Sequence, residues 1–189
     1  MQRIAIFASG TGTNTARIIA HFNQHPSIEV CLVLSNKSDA PVVQKAKNAG
    51  VETLTFNREE FYSSNRVLDK LTDRKIDLIV LPGFMWLIPS NLIKKYSDRI
   101  INIHPALLPK FGGKGMYGMH VHKAVKAAEE TETGITIHLV NEEYDKGKVL
   151  FQAKCSIELN DTPESIAKKI HQLEHTHFSE EIEQYLQSF

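Results

Sequence analysis

Four short apolar segments, each followed by a helical pattern, constrain the fold of this chain more than any other feature of its sequence. They cover residues 3–8, 30–34, 51–56 and 76–81, and the helix predicted after the third segment covers residues 58–74. Segments that alternate with helices in this way form parallel strands, because each helix carries the chain back across one face of the sheet. The order therefore predicts a three-layer α/β sandwich whose first half is doubly wound and Rossmann-like.

Strands of a different kind are predicted beyond residue 100. A short strand at 100–103 precedes a glycine-rich loop, a helix at 123–129 and two strand patterns at 134–140 and 149–157. The last two lie close enough in sequence to pair antiparallel. Thr162 and Pro163 open a closing helix, with Thr as N-cap and Pro in the first turn, and its apolar stripe ends at Phe189. The central sheet is therefore predicted to be mixed and mostly parallel.

Length and charge limit the classes of protein to which the chain can belong. At 189 residues it is expected to be one domain, residues 1–189. Its 22 Lys and Arg residues balance 22 Asp and Glu residues, which argues against a nucleic-acid partner. No apolar stretch approaches the ~20 residues of a membrane span, and Cys31 and Cys155 have the setting of reduced thiols. We expect a cytoplasmic protein with small-molecule partners, not nucleic acids or membranes.

The stretch with the strongest chemical signal runs from Ile100 to Pro109. Its strand must end at Pro105, since proline cannot continue a central ladder, and ligands collect at the strand ends of parallel sheets. Asn102 and His104 are two residues apart, so both project from one face. An amide can donate to a developing oxyanion, and an imidazole can carry a proton near neutral pH. A core histidine beside a turn asparagine is the alternative interpretation of this pair alone.

A glycine-rich turn at residues 9–14 joins the first strand to the first helix. Strand, glycine turn and helix together favour an anion, because the backbone approaches closely and the helix N-terminus offers free N–H groups. A dinucleotide site fits less well. Thr15 stands where the third glycine of that fingerprint belongs, and no acid follows the second strand. The turn therefore predicts a phosphate site.

The apolar loop at 82–89, after the fourth strand, has two interpretations. It packs beneath the helix predicted at 90–96, or it walls the pocket of a flat aromatic ligand. The sequence alone leaves both interpretations open.

The closing helix contains the run HQLEH at 171–175, which matches the H-x-x-E-H zinc-peptidase pattern. Both histidines would lie on one helical face. A zinc site needs a third protein ligand, and little chain follows the motif. We therefore expect no metal, and a metallopeptidase is a remote alternative.

His120 and His122, predicted to precede the helix at 123–129, are expected to be structural, with His120 at most supporting the site.

Two ordered motifs give the chain a resemblance to a known family. They are Asn102-Ile-His-Pro-x-Leu-Leu-Pro109 and the segment 134–147, which contains Tyr144-Asp145-Lys146-Gly147. Together they resemble the folate-dependent formyltransferases, over residues 3 to about 185. The resemblance implies a phosphate-binding half at about 1–100 and a catalytic and folate-binding half at about 101–189. It also implies formyl transfer from 10-formyltetrahydrofolate to the amine of 5'-phosphoribosylglycinamide in purine (IMP) biosynthesis.

The same resemblance assigns roles to three groups of residues. It implies catalysis by Asn102, His104 and Asp145. It implies ribonucleotide binding by Gly12, Thr13, Asn14 and Glu174. It implies contacts with the folate co-substrate from Arg58, Met85, Trp86, Leu87, Ile88 and Asn102. Two features depart from the family pattern: Trp86 replaces a residue that is often charged in bacterial members, and the loop at 110–118 is longer and lacks proline.

A definite chemistry is expected from these roles. Asn102 donates to the oxyanion that forms when the amine attacks, and a protonated His104 assists it and moves protons. Asp145 is expected to raise the pKa of His104, because a nearby carboxylate favours the charged imidazole. No metal is expected to be needed, because the acyl donor is activated and the amine is a good nucleophile.

Other functions remain open from sequence alone. Another folate formyltransferase would use a different acceptor, and a formyltetrahydrofolate hydrolase would use water. Members that act on tRNA or hydrolyse the folate usually carry a further domain, which we do not expect here. A non-enzymic nucleotide-binding module would need the phosphate loop but not Asn102, His104 and Asp145. The sequence is compatible with a monomer or a homodimer.

Overall fold

The computed structural model describes residues 1–188, and Phe189, the end of the predicted apolar stripe, lies outside them. Within that part of the chain, the structure has seven strands and seven helices. In chain order they are β1 (Gln2–Phe7), α1 (Thr13–Phe22), β2 (Ile28–Ser35), α2 (Pro41–Asn48), β3 (Glu52–Thr55), α3 (Arg58–Tyr62), α4 (Arg66–Asp73), β4 (Leu78–Leu81), α5 (Ser90–Lys95), β5 (Ile100–His104), α6 (Met119–Ala127), β6 (Glu132–Leu139), β7 (Val149–Ser156) and α7 (Pro163–Gln187).

The strands form one sheet in the order β3-β2-β1-β4-β5-β6-β7. Pairings among β1 to β5 are parallel, whereas β6 pairs antiparallel with both β5 and β7. The predicted mixed, mostly parallel sheet is therefore confirmed. Because β2 and β4 flank β1 on opposite sides, the strand order reverses there, and such a point opens a crevice at the carboxyl ends of the strands.

Two hydrophobic cores lie on opposite faces of the sheet and give the predicted three layers. Ile4 and Ile6 of β1 belong to the core that α1, α2 and α7 cover. Ala5 and Phe7, which alternate with them, belong to the core that α3, α4 and α5 cover. Burial on both faces explains why the central strands are almost continuously apolar.

Two helix boundaries differ from the prediction. The single helix predicted at 58–74 is two helices, α3 and α4. Ser64 lies at the break, where its hydroxyl donates to the Glu60 carbonyl and accepts from the Arg66 N–H. Such local bonds compete with the helical ladder. The helix predicted at 123–129 begins at Met119, so His120 and His122 lie in the first turn of α6.

Helix α7 begins where its sequence predicts. Thr162 caps it, and the hydroxyls of Thr162 and Ser165 form a reciprocal capping box. The buried side chains of Ile166, Ile170 and Ile182 face the sheet. Glu174 is a buried acid on the same helix, with 8% of its surface exposed. None of the helices within residues 1–188 combines the length and apolar character that a bilayer span requires.

Candidate active site

A cavity of about 530 Å³ lies at the carboxyl ends of β1, β4 and β5. Five segments of the chain line it, at residues 10–14, 81–88, 102–105, 113–118 and 143–145. Side chains of His122, His138, Val140, His171 and Glu174 complete the wall. The topological switch point of the sheet is thus the place where most of the predicted site residues meet.

Asn102 makes a hydrogen bond that fixes the orientation of its amide. Its Nδ2 lies 3.0 Å from Nε2 of His138. The other ring nitrogen of His138, Nδ1, donates to the Leu139 carbonyl at 2.8 Å. Nε2 of the neutral ring is therefore the acceptor, and Asn102 is the donor. One of the two amide hydrogens of Asn102 remains for another acceptor.

His138 is a site residue that the sequence analysis missed. Alternation along β6 places it on the face opposite Ile135 and Ile137, and antiparallel pairing sets it directly across from Asn102. The alternation was visible in the sequence, but the register was not. A histidine on a predicted strand becomes informative only once its cross-strand neighbour is known.

His104 lies between a carboxylate and a backbone carbonyl. Its Nδ1 is 3.5 Å from Oδ2 of Asp145, and its Nε2 donates to the Phe111 carbonyl at 2.8 Å. Only 3% of the residue is exposed. Burial lowers the pKa of His104, and this effect outweighs the attraction of Asp145 and the bond to Phe111, which raise it. Asp145 therefore raises the pKa of His104 as expected, but burial disfavours the charged ring more strongly and leaves the pKa below its ordinary value.

The carboxylate of Asp145 lies close to three groups, namely His104, the Gly113 N–H and His138. The Gly113 N–H donates to its Oδ2 at 2.8 Å, and its Oδ1 is 3.6 Å from Nε2 of His138. Burial acts to raise the pKa of Asp145, but the net shift is downward, and the hydrogen bond donated by the Gly113 N–H is one of its causes. Asp145 is consequently ionised at neutral pH, beside a neutral His104.

The glycine-rich loop at 110–118 packs onto this pair. It supplies the Phe111 carbonyl to His104 and the Gly113 N–H to Asp145. A Cβ at Gly112 would come 2.5 Å from a methyl group of Leu108 and 3.2 Å from Cβ of Asp145. The close approach explains a glycine at this position, and it links the conformation of the loop to the imidazole and the carboxylate.

The glycine turn after β1 presents the N-terminus of α1 to the cavity. No side chain caps this helix, and Gly12 at its N-cap has a φ of 71°. Uncapped N–H groups and the helix dipole favour an anion there. Asn14 donates from Nδ2 to Oε2 of Glu174 at 2.9 Å. Burial raises the pKa of Glu174, against opposing effects of Asn14 and His171.

The apolar loop after β4 lines the cavity, and its other contacts are with the core that α3, α4 and α5 cover. Met85, Trp86, Leu87 and Ile88 line the cavity. Trp86 also packs against Phe61 and Phe56, with ring centroids 5.8 and 6.1 Å away. The Met85 N–H donates to Ser9, and the Leu87 carbonyl accepts from Tyr62. The loop is thus both a core element and a cavity wall.

Arg58 is the predicted site residue that does not line the cavity. Its guanidinium stacks on the rings of Tyr62 and Trp86, 4.9 and 5.7 Å from their centroids. The stack holds a positive charge beside Trp86, which itself lines the cavity.

The H-x-x-E-H run does not assemble a metal centre in the structure. Glu174 and His171 line the cavity, whereas His175 does not. The rings of the two histidines stack 6.4 Å apart. Nowhere within residues 1–188 do three or more His, Cys, Asp or Glu side chains form a group that could hold a metal ion.

Comparison with known proteins identifies the class that this fold and site define. Residues 2–182 match the model of the formyl transferase family, and the chain belongs to that family. It is 32% identical to a phosphoribosylglycinamide formyltransferase of Bacillus subtilis, over 98% of this chain and 95% of that protein. The crystal structure of such an enzyme from Bacillus halodurans superposes with a TM-score of 0.87 at 35% identity, covering 98% of this chain and 95% of the other.

Some relatives are longer than this chain. A chloroplastic phosphoribosylglycinamide formyltransferase of Arabidopsis thaliana is 39% identical over 92% of the chain, which spans 62% of that protein. A trifunctional purine biosynthetic protein of Gallus gallus is 35% identical over 93% of the chain, which spans 18% of it. Sequences similar to this chain therefore make up nearly the whole of some proteins and only part of others, including a trifunctional one.

Proposed function

We propose that this protein transfers the formyl group of 10-formyltetrahydrofolate to the amine of 5'-phosphoribosylglycinamide, a step of de novo purine (IMP) biosynthesis and one-carbon metabolism. One observation carries the proposal: a single cavity joins the Asn102, His104 and Asp145 group to the uncapped N-terminus of α1. A phosphate at one end and a reacting amine at the other match the two ends of the acceptor. The names of the relatives support the same acceptor.

Asn102 is proposed to stabilise the oxyanion. Attack by the amine forms a C–N bond and turns the formyl oxygen into an oxyanion. The free amide hydrogen of Asn102 is the donor that faces it, and the bond to His138 holds the amide in place beforehand. A preorganised donor of this kind lowers the barrier by roughly 3–4 kcal/mol.

His104 and Asp145 are proposed to move the proton. The attacking nitrogen must lose a proton, and N10 of the folate must gain one as its bond to the formyl carbon breaks. Asp145 is the ionised group and His104 the neutral one, so the carboxylate is the first acceptor and the imidazole passes protons on. Negative charge on the oxyanion favours the imidazolium form of His104 as the transition state develops.

Gly12, Thr13 and Asn14 are proposed to hold the phosphate, and Glu174 to hold the part of the ribonucleotide near its amine. The backbone N–H groups of the turn and the dipole of α1 suit an anion. The hydrogen bond from Asn14 holds Glu174 in the wall of the same cavity.

The folate is proposed to lie against Met85, Trp86, Leu87 and Ile88, with Arg58 at the outer edge. The apolar walls suit a flat ring, and backbone groups of the loop match the donors and acceptors along a pterin edge. We further infer small-molecule partners only, a monomer or homodimer, a cytoplasmic location and no bound metal.

Trp86→Arg is expected to lower stability more than it lowers folate binding. Arginine removes the indole from the rings of Phe56 and Phe61 and sets a second cation beside Arg58. We expect about 1–2 kcal/mol of lost stability, but a KM for the formyl donor within roughly tenfold, about 1.4 kcal/mol. Thermal midpoint and KM measure the two effects, and Trp86→Phe is the control that keeps an aromatic ring. A hundredfold rise in KM would show that the indole itself binds the folate.

Removal of metal ions is expected to leave the activity intact. After treatment with a chelator and desalting, kcat should change by less than about twofold, because transfer between an activated acyl donor and an amine needs no Lewis acid. His175→Ala tests the zinc-peptidase motif without touching the cavity and should behave likewise. Stoichiometric zinc in the preparation, with activity lost on chelation and restored by zinc, would contradict the mechanism.

Release of tetrahydrofolate tests the function directly. The purified protein is incubated with 10-formyltetrahydrofolate and, in separate reactions, with 5'-phosphoribosylglycinamide, with methionyl-tRNA or with buffer alone. Rapid release of tetrahydrofolate in the reaction with 5'-phosphoribosylglycinamide, and in neither of the others, supports the proposal. Equal release of tetrahydrofolate in buffer would indicate a hydrolase. Release with the tRNA would indicate another formyltransferase. No release in any reaction would indicate a binding module. His104→Ala serves as the control for spontaneous breakdown.

A further inference from the structure

His122 is a buried polar group in the cavity wall that the proposed chemistry does not use. It lies in the first turn of α6, is 3% exposed and lines the cavity. Its Nδ1 is sealed from solvent and has no hydrogen-bond partner in the part of the chain that the structure describes. A buried polar atom without a partner costs roughly 1–3 kcal/mol. Such a group is kept where something other than packing requires it.

The ring of His122 is a neutral hydrogen-bond donor. Burial lowers the pKa of His122 to about 4, with smaller contributions from His171 and His104. The ring is therefore neutral at pH 7 and carries one proton. A sealed nitrogen without a partner is better tolerated as an acceptor than as an N–H donor. The proton consequently belongs on Nε2, and the ring edge that lines the cavity carries the donor.

His122 lines the same cavity as the glycine turn, Asn102, His171 and Glu174. Glu174 is bonded to Asn14 of that turn. A ribonucleotide whose phosphate lies at the turn and whose amine lies at Asn102 would span this cavity, and its middle would lie along the wall to which His122 contributes. In a phosphoribosyl compound that middle is the ribose.

We propose that Nε2–H of His122 donates a hydrogen bond to a ribose hydroxyl of the ribonucleotide and so positions its amine. The inference rests on the proposed acceptor, and it makes His122 a determinant of specificity for a sugar phosphate over phosphate alone. Because the ring is neutral, it contributes no charge to phosphate binding.

Calorimetry without any formyl donor tests the inference. Ribose 5-phosphate and inorganic phosphate are titrated into the wild-type protein and into His122→Phe and His122→Gln. Phenylalanine fills the space without a donor, whereas the amide nitrogen of glutamine reaches about where Nε2 lies. We expect the wild type to prefer ribose 5-phosphate, His122→Phe to lose about tenfold of that preference, and His122→Gln to keep most of it. Affinity for inorganic phosphate should be the same in all three.

The kinetic counterpart separates binding from chemistry. In His122→Phe, KM for the ribonucleotide should rise about tenfold while KM for the formyl donor stays unchanged. An unchanged preference in His122→Phe, an equal loss in both variants, or a parallel loss of phosphate affinity would each overturn the inference. A wild type that does not prefer the sugar phosphate would also overturn it. Because the titrations need no turnover, these outcomes are independent of whether formyl transfer takes place.

Discussion

The His104→Ala variant is expected to lose about a thousandfold in kcat, within the range that removal of a positioned proton carrier costs. The reason is geometric: His104 is the imidazole beside Asp145, and it shares one face at the end of β5 with Asn102. KM for either substrate should change much less, because the ring acts on the reacting atoms. Steady-state kcat and KM for both substrates measure the effect.

A control variant at a matched histidine separates loss of folding from loss of catalysis. His120 lies two residues from His122 in α6, is exposed and does not line the cavity. His120→Ala should keep wild-type kcat and thermal midpoint. His104→Ala should melt somewhat lower, since the Phe111 carbonyl loses its donor, yet remain folded at the assay temperature.

Asp145→Asn is the companion test of the same proposal. Asparagine has the shape of aspartate and can still accept from the Gly113 N–H, but it cannot hold the negative charge. We expect kcat to fall at least about a hundredfold with little change in thermal midpoint. The variant should also lower the pKa of His104 further, because the charge that raises it is gone. Near-native turnover in either variant would refute the catalytic assignment.

Gly12→Val is expected to raise KM for the ribonucleotide by about a hundredfold or more while leaving KM for the formyl donor near its wild-type value. A Cβ at Gly12 would come 2.5 Å from Cγ2 and 2.9 Å from the backbone Cα of Val42. The φ of 71° is also one that a β-branched residue avoids. The turn must therefore move away from α2, and its N–H groups leave the position that suits a phosphate.

A second glycine controls for strain alone. Gly50 has a φ of 75°, has open space for at least 4 Å around the position that a Cβ would occupy, and lies outside the cavity. Gly50→Val should therefore cost about 1–2 kcal/mol of stability through backbone strain. Its thermal midpoint should fall accordingly, and neither KM should change. If Gly12→Val raised the KM of the folate instead, the phosphate and folate ends of the cavity would be reversed.

Much of the fold was readable from local patterns. The alternation of apolar strands with helices predicted a three-layer sandwich, and capping residues such as Thr162 marked helix starts. The break at Ser64 was missed, because the apolar stripe of residues 58–74 outweighed a weak local signal. The short spacing of Asn102 and His104 was sufficient to put both on one face of β5.

The rest of the site depended on contacts between distant parts of the chain. Antiparallel register sets His138 against Asn102, and the Asn14–Glu174 bond joins residues 160 positions apart. The direction of the His104 pKa shift also reversed once burial was known. The stacking of Arg58 on Trp86 was unpredictable for a similar reason, because Trp86 belongs to another loop.

The sequence by itself determined which elements form and which side chains share a face, because propensity, capping and alternation act within a few residues. Tertiary structure alone decided which faces meet, how deeply each charge is buried and which donor each carbonyl receives. Those quantities depend on the packing of the whole chain, and residues near in sequence do not specify them. In this protein they bring a strand-end motif and a glycine turn into the lining of one cavity.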